Sequence, residues 1–122
     1  MPLLTASSLT MDQGQELAGH GIGLWECDLS DNSLIWSAGV YDIFGVPRDA
    51  VISRDEAVAL YCDESRVVME RLRAYAIRHR RGFTVDVEIR PSLTGRQWMR
   101  LIAAPVCDGT KVMRLRGMKQ LI

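Results

Sequence analysis

The sequence has little of what marks several large classes of protein. Its longest unbroken apolar stretch, residues 101–107, is far shorter than the roughly 20 residues that a membrane helix needs. No cationic segment precedes an apolar one near the start, so no signal peptide is expected. Fifteen basic residues balance fifteen acidic ones, and this neutral total gives no bias toward nucleic acid or an anionic membrane.

Cysteine and histidine are also scarce. The three cysteines, Cys27, Cys62 and Cys107, are an odd number, lie far apart and form no CxxC pair. This pattern favours reduced thiols in a cytoplasmic protein over a disulfide framework or a zinc site. With two histidines, no glycine-rich phosphate loop and no catalytic triad pattern, no enzymatic activity is expected of this chain.

What is present suits one globular domain, since 48% of the 122 residues are hydrophobic. The first part of the chain predicts a helix over 7–18, in which Thr10 and Gln13 have the spacing of a capping box. Alternating residues over 21–29 and 34–36 then predict two strands joined as a hairpin.

Three further helices are expected in the middle of the chain. Ser37 can cap a short helix that stops at Gly45, and 53–56 form a capping box for another. Asp63 can cap the longest helix, 64–81, which is expected to end at Gly82. Its apolar stripe at helical spacing predicts the following buried face: Val68, Leu72, Tyr75 and Ala76.

The last part of the chain predicts three antiparallel strands, 83–89, 97–106 and 111–118. The first alternates most regularly, and the Asp108-Gly109 step is a strong hairpin signal between the other two. The predicted fold class is therefore α+β. Five antiparallel strands, split two and three around a helical insert, carry the short helices and one long helix on one face.

An ordered series of short motifs gives these elements a family likeness. They are Gly21-Ile22-Gly23-Leu24-Trp25-Glu26, Trp36-Ser37, Tyr41-Asp42-Ile43-Phe44-Gly45, Tyr61-Cys62-Asp63-Glu64-Ser65-Arg66, Arg81-Gly82-Phe83, Val87-Glu88-Ile89-Arg90, Gly95-Arg96-Gln97-Trp98 and Arg114-Leu115-Arg116-Gly117. In this order and spacing, over about residues 21–120, the sequence resembles a PAS domain of the variety common in bacterial sensor histidine kinases.

The resemblance implies a division into an N-terminal helical extension, 1–20, and a PAS domain, 21–122. Two departures accompany it. A proline common near Cys62-Asp63 is missing, and the Asp-Ile-Thr-like signature that closes many family members is replaced by residues 119–122, Lys-Gln-Leu-Ile. Either the domain was cut from a longer signalling protein, or it works alone through association.

PAS domains hold ligands between the sheet and the long helix, so the resemblance also implies a pocket. Its expected lining is Trp36, Tyr41, Phe44, Tyr61, Val68, Leu72 and Trp98. No cofactor is firmly expected. His79 is in the position of a possible haem ligand but lies among arginines at a helix end. Cys62 lacks the flanking residues of the flavin-reactive cysteine motif. No metal site is expected.

The resemblance further implies association. In PAS relatives an N-terminal helix packs on the outer sheet face and helps to form a dimer, so Leu9 and Leu17 are expected at a homodimer contact. The outer face is expected to offer Trp25 or Met99, Leu101 and Met113 for cover. The alternative is that this helix covers only its own sheet.

The function expected from this resemblance is a cytoplasmic PAS-type sensory or dimerisation module of bacterial two-component signal transduction. It would sense a small ligand or associate with a signalling effector, as part of, or related to, a sensor histidine kinase. The alternative is a stand-alone protein of the same fold that binds a small molecule or a cofactor such as haem or flavin.

Overall fold

The computed structural model describes residues 4–122, so residues 1–3 of the predicted N-terminal extension lie outside the described part. The helices are α1 (Met11–Gly19), α2 (Ala38–Phe44), α3 (Arg54–Val58) and α4 (Asp63–His79). The strands are β1 (Ile22–Asp28), β2 (Leu34–Trp36), β3 (Phe83–Ile89), β4 (Gln97–Asp108) and β5 (Lys111–Leu121).

The five strands form one antiparallel sheet in the order β2-β1-β5-β4-β3. The two N-terminal strands and the three C-terminal strands therefore meet at the β1–β5 pair. This arrangement confirms the α+β prediction, with strands split two and three around the helical insert. The hairpin at Asp108-Gly109 is also confirmed, because Asp108 pairs with Lys111 and Gly109 adopts φ 61.

The N-terminal segment differs from the single helix predicted over 7–18. A 3-10 turn, Ala6–Ser8, comes first, and α1 begins separately after Thr10, whose hydroxyl accepts a hydrogen bond from the Gln13 amide. The Thr10–Gln13 capping box is thus confirmed, and it marks the true start of the helix. α1 packs against α2 and β1, while the 3-10 turn contacts β1 and β2.

Helix α2 approaches the sheet unusually closely because two glycines face each other. A Cβ on Gly39 would lie 1.9 Å from the carbonyl oxygen of Ile22, and one on Gly23 would lie 2.3 Å from the amide nitrogen of Val40. Neither position has room for a side chain. The helix ends at Gly45, which adopts the left-handed conformation at φ 66.

Ser37 occupies the N-cap position of α2, as predicted, but its hydroxyl does not cap the helix. Instead the Ser37 Oγ accepts a hydrogen bond of 2.8 Å from the amide of Leu24 on β1. The residue therefore joins the start of α2 to the sheet, whereas the Ser53–Glu56 capping box of α3 forms as expected.

Helix α4 begins one residue earlier than predicted and presents a partly different face to the core, since Ala76 of the predicted face is buried but Val68 and Tyr75 are not. Cys62 is its N-cap, Asp63 is its first helical residue, and Arg80, not Gly82, ends it in the left-handed conformation. Its fully buried residues are Met69 and Ala76. Val68 and Tyr75, predicted to be buried, are 44% and 54% exposed, and Leu72 is half-buried.

The edge of the sheet at β3 is covered by the segment that leads into α4. Tyr61 bridges Ile89, the amide of Cys62 donates to the carbonyl of Glu88 at 2.9 Å, and the amide of Arg90 donates to that of Leu60 at 2.7 Å. The amide of Glu88 itself donates to the Ser65 hydroxyl at 2.8 Å. These bonds occupy backbone groups that a free edge would leave unpaired.

The core lies between the sheet and helices α2 to α4. Its sheet side is formed by alternate residues, among them Val87, Ile89, Met99, Leu101 and Leu115, all at most 3% exposed. The prediction that Met99 and Leu101 face outward is therefore wrong. Trp25 is also a core residue, at 8% exposure, and of the residues expected on the outer face Met113 alone is exposed.

Candidate ligand-binding site

A lysine lies in the middle of this apolar core. Lys119 is on the central strand β5, opposite Gly23 of β1 and Leu101 of β4. It shares the inward face of β5 with Leu115 and is 6% exposed. A charged side chain is seldom so deeply buried unless it is paired or serves a function.

Aromatic rings surround the ammonium group of Lys119. Its Nζ atom lies 4.8 Å from the centre of the Phe44 ring and 5.6 to 5.7 Å from those of Trp25, Trp36 and Tyr61. The rings also pack on one another, since Trp36 stacks on Phe44 at 5.3 Å. Ring faces attract a cation, so the cage offsets part of the cost of burying the lysine.

Tyr61 supplies the one hydrogen bond that the Lys119 side chain makes within the described residues. Its hydroxyl accepts from Nζ at 3.1 Å. Burial lowers the pKa of Lys119 to about 7, the negative charge that Cys27 carries when ionised acts against this shift, and the charge of Arg54 adds to it. Burial likewise raises the pKa of Tyr61, so this residue remains a neutral phenol.

The lysine borders a small cavity between the sheet and helices α3 and α4. Its volume is about 60 Å³. The lining side chains come from both layers: Trp25, Cys27, Leu34, Trp36, Arg54, Ala57, Val58, Tyr61, Met69, Arg73, Phe83, Leu101, Leu115 and Lys119.

The polar groups on the cavity wall are mostly hydrogen-bond donors. The indole Nε1 of Trp25 is buried and has no partner among residues 4–122. Arg54 forms an ion pair with Glu70, and the Arg73 guanidinium donates to the Asn32 side chain at 3.1 Å. Both arginines are partly exposed.

Cys27 is another buried residue of the cavity lining. Burial raises its pKa, while the nearby Arg73 guanidinium acts in the opposite direction. Cys27 is therefore a protonated, weakly polar group at neutral pH, and it adds little capacity to accept hydrogen bonds.

The residues predicted to line the pocket do not all lie at the cavity. Trp36 and Tyr61 line the cavity, and Phe44 lies directly behind Lys119. Tyr41 packs edge-on against Trp36 at 5.2 Å, and its hydroxyl donates to the carbonyl of Ala50 at 3.2 Å. It therefore supports the aromatic cage from outside without reaching the cavity.

The remaining predicted pocket residues lie elsewhere. Val68 is on the exposed face of α4, and Leu72 is half-buried on the same helix outside the cavity lining. Trp98 is 51% exposed on the outer face of the sheet, because it alternates with the inward Met99 and Leu101. The structure corrects these three positions, and Met69 and Arg73 take the place expected of Val68 and Leu72.

The main residue that sequence reasoning missed is Lys119. Strand alternation carried a usable signal, since Lys119 is two and four residues from Gly117 and Leu115 and so shares their face. Arg54 and Arg73 gave no such signal, because a long charged side chain on a helix ordinarily points to solvent.

Leu9 and Leu17, expected at a homodimer contact, are both half-buried in the N-terminal segment. Part of this segment lies over the outer sheet face, where the Ser7 hydroxyl donates to the buried carboxylate of Glu26 at 3.1 Å. The segment therefore covers the β1 end of that face and leaves Trp98, at the other end, exposed.

The residues considered for a cofactor do not fit one. His79 lies on the exposed surface at the end of α4, packed against the Tyr75 ring at 4.3 Å, outside the cavity lining. Cys62 is buried as the N-cap of α4 and does not line the cavity. A space of about 60 Å³ is also smaller than the roughly 150 Å³ that holds benzene, so neither haem nor a flavin ring fits it.

Nowhere in residues 4–122 is there a helix with the length and apolar character that crossing a membrane requires. The same range contains no group of three or more histidine, cysteine, aspartate or glutamate side chains placed to hold a metal ion.

The fold has clear relatives among solved structures. A sensory box histidine kinase/response regulator from Burkholderia thailandensis matches with a TM-score of 0.72 at 16% identity, over 88% of this chain and 82% of that one. The N-terminal domain of a diguanylate cyclase with PAS/PAC sensor from Marinobacter aquaeolei matches at 0.71 and 13% identity, over 80% and 92%. The chain has the PAS fold.

A third PAS-fold match is an RNA-binding light-oxygen-voltage receptor, with a TM-score of 0.72 at 13% identity. It covers 82% of this chain, which spans 29% of the length of the receptor. No protein-family model matches the sequence, and neither does any curated protein. At these identities the likeness concerns the fold.

Proposed function

We propose that this chain is a PAS-type sensory module of signal transduction that receives a small ligand in the cavity beside Lys119. The observation that carries the proposal is that the buried residues Lys119 and Trp25 both line the cavity, while the Trp25 indole N–H has no hydrogen-bond partner among residues 4–122. Buried donors without partners are costly, so a preformed site that contains them is suited to a ligand that bonds to them.

The position of the cavity suits transmission of a signal. Lys119 lies on the central strand, and Tyr61, its hydrogen-bond partner, joins α3 to α4 and bridges the edge strand β3. A ligand that accepts hydrogen bonds from Lys119 would compete with Tyr61 for them. It would therefore favour one relative position of β5 and the Tyr61 segment over another. Sensing would then be a shift of population between two states of the domain.

The proposed partner is a signalling effector of the kind found with PAS-fold neighbours, which include a sensory box histidine kinase/response regulator and a diguanylate cyclase. A bacterial two-component kinase context and a homodimer are part of the proposal. Reduced Cys27 and Cys62, both buried and free, suit the proposed cytoplasmic location. The chain itself is proposed to have no catalytic activity.

The test is a ligand screen read at the cavity. Native mass spectrometry first shows whether a small molecule remains bound to the purified protein. A set of neutral and charged small compounds is then followed by NMR on the Trp25 indole N–H and the Lys119 side chain. We expect at least one compound to shift both signals.

A cavity-filling variant provides the control. Ala57 lines the cavity and is 5% exposed, so Ala57→Leu adds three carbons in the space that the ligand would use. The variant should remain folded and lose the response. A screen in which no compound shifts either signal, or in which the variant responds as well as the native chain, would overturn the proposal.

A further inference from the structure

The chemical class of the ligand can be read from the groups that the cavity presents. Lys119 Nζ carries up to three N–H donors, of which one is used by Tyr61, and the Trp25 indole N–H is not used within the described residues. Both side chains are more than nine-tenths buried, at 6% and 8% exposure. The site therefore needs hydrogen-bond acceptors that the protein does not supply.

The charges of the lining side chains also favour a ligand that carries hydrogen-bond acceptors. Lys119, which is cationic when protonated, lines the cavity with the guanidinium side chains of Arg54 and Arg73, and the lining contains no carboxylate among residues 4–122. The carboxylate that pairs with Arg54 belongs to Glu70, outside the lining, and no carboxylate within residues 4–122 forms an ion pair with Lys119. A buried cation without a counter-charge is strongly stabilised when an anion enters beside it.

The rest of the lining limits the size and shape of that anion. Aromatic and aliphatic groups surround Lys119, so the part of the ligand that does not carry the charge must be apolar. A volume of about 60 Å³ is well below the roughly 150 Å³ that accommodates benzene. A molecule of a few heavy atoms fits without moving the walls.

From these observations we infer that the cavity binds a short-chain monocarboxylate, such as an ion of the size of acetate or propionate. Its carboxylate would accept hydrogen bonds from Lys119 and Trp25, and its alkyl group would lie among the rings of the cage. This inference rests on the proposed function, since it names the ligand class of the same cavity.

The chain offers a matched control, because it has two lysines, Lys119 in the core and Lys111 exposed at the start of β5. In protein labelled on lysine with ¹³C and ¹⁵N, the two side chains can be followed in one NMR spectrum. Sodium propionate should shift the Lys119 signals and leave those of Lys111 unchanged. Propionamide, the neutral analogue of similar shape, should bind much more weakly, and sodium chloride at equal ionic strength should have no effect.

Two variants test the named contacts by calorimetric titration with propionate. Lys119→Met keeps most of the length of the side chain and removes its charge, so affinity should fall about 10- to 100-fold, as expected for a lost charged hydrogen bond. Lys111→Met should bind like the native chain. Trp25→Phe removes one neutral donor and should cause a smaller loss, which keeps the test informative even where Lys119→Met fails to fold.

The outcomes separate this inference from the proposed function. If propionamide binds as tightly as propionate, the cavity is a ligand site but the inferred anion class is wrong. If neutral compounds from the screen shift the cavity signals and carboxylates do not, the same conclusion holds. If no compound of either kind binds and the cavity holds only water, both the inference and the proposed function are overturned.

Discussion

The hydroxyl of Tyr61 and the ammonium group of Lys119 are hydrogen-bonded at 3.1 Å in the interior of the domain, although 58 positions separate them in the sequence. Tyr61 lies within the segment that covers the sheet edge, and Lys119 lies on the central strand. One polar contact thus connects the edge of the fold to its centre. It also makes the stability of the domain sensitive to the protonation of a single amine.

The pH dependence of stability follows from this contact. In the folded chain Lys119 has a pKa of about 7, compared with 10.5 in its ordinary environment. Between these values the unfolded chain binds more protons, so the free energy of unfolding rises with pH. We expect a rise of about 1.5 kcal/mol between about pH 7 and about pH 8.5, measured by urea unfolding.

Two variants separate this effect from other titrations. Lys119→Met should abolish the rise, and Lys111→Met should keep it. The window ends at about pH 8.5 because the thiol of Cys27 and the phenol of Tyr61, both with raised pKa, destabilise the fold at higher pH. A rise that persists in Lys119→Met would show that another group carries it.

The hydrogen bond itself is testable by a double-mutant cycle. Tyr61→Phe leaves the buried amine of Lys119 without its acceptor, so the free energy of unfolding should fall by about 1–3 kcal/mol. In the Lys119→Met background the Tyr61 hydroxyl no longer accepts a hydrogen bond from the lysine. Tyr61→Phe should then be neutral or stabilising. Equal losses in the two backgrounds would mean that the contact contributes nothing.

The orientation of α4 predicts a sharp contrast between two adjacent residues. Met69 is 6% exposed and Val68 is 44% exposed. Met69→Ala should lower the free energy of unfolding by about 2–5 kcal/mol, whereas Val68→Ala should change it by less than about 0.5 kcal/mol. Chemical denaturation of both variants measures the difference. Comparable losses in the two variants would mean that α4 packs on the core with the face that the sequence pattern predicted.

Two glycines should respond in opposite directions to alanine. Gly39→Ala places a methyl group against the backbone of Ile22, so it should cost about 1–3 kcal/mol or more and push α2 away from β1. Gly14, within α1, has open space around a Cβ, so Gly14→Ala should stabilise the fold by about 0.5–1 kcal/mol. Thermal unfolding followed by circular dichroism decides both, and a stable Gly39→Ala would contradict the close approach.

Much of the fold could be predicted from the sequence because local signals and tertiary packing agree. The alternation of 83–89 survives as the inward face of β3, and the Asp108-Gly109 turn joins β4 to β5. The capping boxes at Thr10 and Ser53 mark helix starts correctly. In each case one short segment carries the whole signal.

The candidate site was harder to predict because it depends on exceptions to these rules. The inward face of α4 includes Arg73, so the more apolar stripe through Val68 pointed to the wrong side. Charged side chains are expected to face solvent, and this expectation places Lys119 of β5 outside the core. The assembled fold is needed to show that the Lys119 side chain lies among the rings of Trp25, Phe44 and Tyr61, because these three residues come from different elements.

The two edge strands of the sheet affect how readily the domain associates with copies of itself. One edge, β3, has bonds to residues 60–62 along its C-terminal half, and the other, β2, has three residues, Leu34–Trp36. Long, flat and unpaired edges are the templates on which chains add to one another as aggregates or amyloid. With one edge partly occupied and the other too short to guide a second strand into register, the domain resists edge-to-edge growth.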